Sequence, residues 1–151
     1  MDPAATFQAN AIFGPFFLMM LLTLVVWVYM YARRIPFIQR SRLGPDQLTP
    51  MELNRISPPG VRTPSDNLRN LFEIPTLFYA LVLYLYVVKQ VDDVYVWAAW
   101  VFAIFRILHS AVHCTINIVL LRFGLYVVST AAFWFMVVRA AIHWWIWINL
   151  T

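Results

Sequence analysis

Arg106-Ile107-Leu108-His109-Ser110-Ala111-Val112-His113 lies inside an apolar run that extends over residues 94–121. An arginine and two histidines at such depth are costly unless they are paired, and within a membrane segment that cost points to a functional site. A helix advances about 100° per residue. Arg106, His113 and Asn117 then fall within roughly 40° of one another, flanked by His109 and Ser110. The stretch reads as one polar stripe on a greasy helix.

The rest of the chain has the same character. Of 151 residues, 62% are hydrophobic and only 12% charged, about half the charge of a soluble domain. The fold class expected is an all-α membrane protein, a four-transmembrane-helix bundle forming one domain over residues 1–151. A span needs about 20 apolar residues, which places spans at 11–32, 64–88, 94–121 and 125–150. Seven of the eleven basic residues lie between Arg33 and Arg69. Such a bias puts the loop over residues 33–63 on the cytoplasmic side and both termini outside; a nucleic-acid partner has no other support. The start lacks the basic residues and small-residue cleavage site of a secretory signal, so the first apolar run is expected to be retained. Five of the nine prolines fall in the first loop, which predicts irregular or briefly helical structure there. Pro75 predicts a kink in the second span. Arg122-Phe123-Gly124 reads as a tight turn before the fourth, whose Trp144, Trp145 and Trp147 mark a membrane interface.

The second span carries Arg69, Asn70 and Glu73 at spacings that let them share a face. A Glu73–Arg106 ion pair between the second and third spans would neutralise both charges. It could be purely structural, or it could floor a pocket. His109 and His113, four apart, could hold a metal with Cys114 or Glu73. No second ligand pair stands at metal spacing, so no metal is expected. Arg33, Arg34, Arg40 and Arg42 suit lipid headgroups, whereas Arg69 and Arg122, beside the polar stripes, also suit a small anion. Arg139 and His143 are expected to pair with Asp92 or Asp93.

The set Arg69-Asn70-x-x-Glu73-x-Pro75, Arg106-x-x-His109 and Arg122-x-x-x-Tyr126, on four spans with a long first loop, resembles the MAPEG family, the membrane-associated proteins in eicosanoid and glutathione metabolism. The likeness is to a bacterial-type member, in which the inner membrane would be the location. It covers nearly the whole chain and rests on the set of motifs rather than on any one of them. The resemblance implies a homotrimeric left-handed bundle surrounded by membrane lipids, with glutathione as co-substrate between subunits. It implies transferase or peroxidase activity on a lipophilic small-molecule substrate. Arg69, Asn70, Glu73, His109 and Tyr126 align with residues that hold the tripeptide, and Arg122 with the arginine that stabilises its thiolate, as a guanidinium favours the anion. Three positions depart from a glutathione-using member of the family: His113 replaces a ligand-contacting tyrosine, Asp66 a basic residue and Phe123 a serine. Other members bind lipids and catalyse nothing, so a non-catalytic lipid-binding or scaffold protein of the same fold is the alternative.

Overall fold

A computed structural model describes residues 9–150. Its helices are α1 (Phe13–Ser41), α2 (Pro50–Ile56), α3 (Pro59–Leu71), α4 (Ile74–Val87), α5 (Asp93–Cys114) and α6 (Val119–Leu150), with a 3-10 turn over Pro45–Leu48. Four stretches are long and apolar enough to cross a membrane: α1, α3 with α4, α5, and α6. The chain is an integral, multi-pass membrane protein of four helical spans. α5 packs most extensively on α6 and also meets α1 and α3, while α4 touches α1 and α6.

The bundle closes around aromatic and small side chains. Phe78 of α4 stacks on Phe102 of α5 with ring centres 4.4 Å apart, and Phe102 meets Phe133 of α6 at 6.0 Å. Ala99 and Ala103, both fully buried, let α5 sit close to its neighbours. Outside this core the spans stay apolar and exposed, as a lipid-facing surface must be; Trp144, Trp145 and Trp147 are all exposed.

The first loop is more helical than its prolines suggest. α1 runs through Arg33, Arg34 and Pro36 to Ser41 and closes at Arg42, whose φ is 47°. At 29 residues it is about 44 Å long, so its last turns extend beyond a hydrocarbon layer of about 30 Å. Pro45, Pro50 and Pro59 stand at the start of the 3-10 turn, α2 and α3, where a proline's missing N–H costs nothing. Thr49 Oγ1 accepts from the Glu52 N–H to cap α2.

Pro64 lies inside α3, so the Gly60 carbonyl one turn back has no helical donor. Arg33 Nε fills that vacancy at 3.3 Å, and Arg34 Nη2 donates to Ser65 Oγ at 2.6 Å. These two arginines therefore tie α1 to α3 instead of serving only as headgroup contacts. Gly60 suits the approach: a Cβ there would stand 2.9 Å from Arg33 Nη2.

The second span breaks one turn before it would meet Pro75. α3 ends at Leu71, Phe72 and Glu73 leave helical geometry, and α4 starts at Ile74 with Pro75 in its first turn. The third span is shorter than its apolar run. α5 ends at Cys114, and Asn117, with φ 48°, donates its N–H to the Val112 carbonyl at 2.8 Å. Asn117 is thus in the turn and not on the helical stripe. Conversely, Arg122-Phe123-Gly124 is not a turn but part of α6. The left-handed residue the connection needs is supplied by Asn117, a type that tolerates it, and Gly124 has no positive φ.

Candidate functional site

The helix break and the early end of α5 together build one recess. Asn70 comes from the last turn of α3, Glu73 from the break, His109 from α5, and Val119, Arg122, Phe123 and Tyr126 from the first two turns of α6. They enclose about 360 Å³. Five residues named from sequence, Asn70, Glu73, His109, Arg122 and Tyr126, therefore meet at one place.

The His109 ring is oriented by the chain itself. Its Nδ1 lies 2.8 Å from the Arg122 carbonyl. A carbonyl can only accept, so Nδ1 carries the proton, and in the neutral ring Nε2 is left as an acceptor. Nε2 has no partner among the described residues. Arg122 is held from the other side, its Nη1 donating to Asn117 Oδ1 at 2.8 Å. Asn117 thus makes the turn and steadies the guanidinium. The His109 and Tyr126 ring centres are 5.9 Å apart.

Arg106 sits behind this wall. It is 1% exposed. Its guanidinium lies over the Tyr126 ring at 4.6 Å and the Phe102 ring at 5.3 Å, and Nη2 donates to Thr130 Oγ1 at 3.2 Å. The expected Glu73–Arg106 ion pair is not formed; among the described residues the ion pairs are Glu52–Arg55 and Asp92–Arg139. The physical reason is the break at Phe72–Glu73. It takes Glu73 off the helical face that Arg69 and Asn70 define and leaves it exposed at the recess, while Tyr126 occupies the face of the arginine. Arg106 Nε and Nη1 have no partner among the described residues.

Two other expected residues lie elsewhere. His113 is buried in the interior, its ring 5.5 Å from that of His109 and edge-on to it. Beside it Ser110 Oγ donates to Asn67 Oδ1 at 3.3 Å, and Asn67 Nδ2 to Cys114 Sγ at 3.4 Å. Arg69 lines a second recess with Pro50, Met51, Asn54, Arg55 and Arg62. No group of three or more His, Cys, Asp or Glu side chains converges among the described residues, so the histidine pair meets no third ligand. At the far end of the bundle Arg139 does pair with Asp92, through Nη1 at 2.8 Å and Nη2 at 2.6 Å, and covers the Tyr95 ring. Sequence reasoning passed over Thr130 and Val119; neither carries a charge or a spacing that marks it.

Four apolar spans with a polar recess, lined by a carboxylate, a guanidinium, an imidazole and a phenol, define a polytopic membrane protein. The model of the MAPEG family matches residues 12–142, and the chain belongs to that family. No curated protein and no solved structure matches it. Membership places the protein, in general terms, in membrane glutathione-related or lipid metabolism.

Proposed function

We propose that the chain is a glutathione-dependent transferase or peroxidase that acts as a homotrimer on a lipophilic electrophile, in a bacterial inner membrane with the arginine-rich end cytoplasmic. The observation that carries this reading is the convergence of Asn70, Glu73, His109, Arg122 and Tyr126 on one recess. The donor set fits the tripeptide, a zwitterion with one ammonium, two carboxylates and a thiol. Glu73 suits the ammonium, and Asn70 and Tyr126 can hydrogen-bond the peptide. Arg122, steadied by Asn117, favours the thiolate over the thiol. His109 Nε2 is buried and has no partner among the described residues, so a ligand that reached it would find an acceptor there. Asp66, the acidic departure from the family pattern, accepts from Asn54 at 3.4 Å and is not among the recess residues. Its charge therefore does not stand where an anion must bind. Val119 and Phe123, exposed at 63% and 61%, give the recess an apolar edge for the second substrate.

That same edge favours one alternative, a lipid-binding protein without catalysis. Heat unfolding in detergent separates the two. A ligand that binds only the folded state raises its stability with concentration. Millimolar glutathione is expected to raise the unfolding temperature, and Glu73→Gln to weaken the effect several-fold. Protection by a fatty acid with none by glutathione would select the lipid-binding reading.

A further inference from the structure

The second recess is larger than the first and is built differently. It encloses about 540 Å³ and is lined by Pro50, Met51, Asn54, Arg55, Arg62 and Arg69. It lies where α2 folds against the start of the second span. Arg62 and Arg69 are seven residues apart on α3, so they stand two turns apart on one face. Both are exposed, and neither guanidinium makes a hydrogen bond or ion pair with another described residue. Arg55, from α2, faces them but is committed to Glu52, with Nε at 3.1 and 3.0 Å from the two carboxylate oxygens. The other carboxylate close by, Asp66, takes the Asn54 amide. Glu52 is thus paired with Arg55, while Asp66 keeps its charge but makes no ion pair with Arg62 or Arg69 among the described residues.

Beside those charges is an apolar lip. Met51, in its lining, is 85% exposed, an unfavourable arrangement in water but an ordinary one at a membrane surface. Guanidiniums bind phosphate oxygens through paired N–H groups. A phosphate and an adjoining hydrocarbon chain together match this recess better than either alone.

We propose that the Arg62–Arg69 recess binds a phosphate-bearing anion, most simply the headgroup of an anionic phospholipid whose chains pass over Met51. The site shares no lining residue with the recess of His109 and Arg122. α2 would act as its lid, so occupancy would fasten the first loop onto the second span.

The test is native mass spectrometry, with heat unfolding in parallel, on the full chain in a neutral detergent. The probes are phosphatidylglycerol, phosphatidylcholine and inorganic phosphate. Retained phosphatidylglycerol with a raised unfolding temperature, several-fold weaker in Arg62→Glu and unchanged in Arg40→Glu, is expected for a lipid site. An equal, Arg62-dependent shift with inorganic phosphate alone would support the anion site and name a soluble source. Equal losses in Arg62→Glu and Arg40→Glu would overturn the proposal, since the binding would then be a diffuse effect of basic charge. So would equal retention of phosphatidylcholine, or no response to any probe. Because glutathione binding is read separately, failure here and failure of the glutathione reading are distinct results.

Discussion

Asp92 does two jobs with one carboxylate. Its Oδ1 accepts the Tyr95 N–H and caps α5, and both its oxygens take the Arg139 fork. The Arg139 hydrogen bonds hold the carboxyl below its ordinary value, against partial burial, which pushes it up; the Tyr95 N–H adds to the lowering. A group lowered on folding adds stability above its unfolded pKa, about 3.9 for aspartate, and loses it as pH falls through the lower folded value. The pair is partly exposed, at 42% for Asp92 and 23% for Arg139, so solvent screens it to about 1 kcal/mol at most. Asp92→Asn keeps a capping oxygen and removes the charge. At neutral pH it should unfold in detergent slightly below the parent, and the two should converge in acid below about pH 4. A gap that stays constant across that range would assign the difference to packing. This contact was legible from sequence, because charges at the two ends of neighbouring spans have few other partners. The partner of Arg106 was not. Glu73 looked like its natural counter-ion only while the second span was taken as one helix, and Thr130, a neutral residue in an apolar run, gave no sign of accepting from a guanidinium.

At the scale of elements, the spans were legible and their ends were not. Twenty or more apolar residues leave a chain in lipid little choice but helix, and all four spans follow. Ends are set by single residues that work in more than one way. The prolines of the first loop predicted irregular or briefly helical structure, and Pro45, Pro50 and Pro59 each start a helical element. Gly124 looked like a turn, yet Asn117 makes the turn and Gly124 is helical. That reassignment moves Arg122 and Tyr126 onto one rigid helix, so they reach the recess as neighbours one turn apart. It also makes a prediction. A Cβ at Gly124 meets nothing within 4 Å, and alanine is favoured over glycine within a helix by up to about 1 kcal/mol. Gly124→Ala should unfold at a higher temperature than the parent. A lower one would mean the connection runs through Gly124 after all.

For the molecule as a whole, the bundle joins an apolar core to two polar recesses at its arginine-rich end. The core of Phe78, Phe102 and Phe133 fixes how α4, α5 and α6 meet, and the recess of His109 and Arg122 is what remains between them where α5 stops short. Most of the candidate site could be read from spacing and family likeness, since Asn70, Glu73, His109, Arg122 and Tyr126 do come together. Arg69 and His113 could not be placed that way. One residue's difference in helix phase, or one break, decides which of two neighbouring cavities a side chain enters. The central claim is that Arg122 holds a thiolate in this recess. It is tested most directly by the ultraviolet difference spectrum of the purified protein on titration with glutathione at neutral pH. A saturable thiolate band is expected from the parent, and its loss in Arg122→Ala with the fold retained. No band in the parent, or an undiminished band in Arg122→Ala, would contradict it.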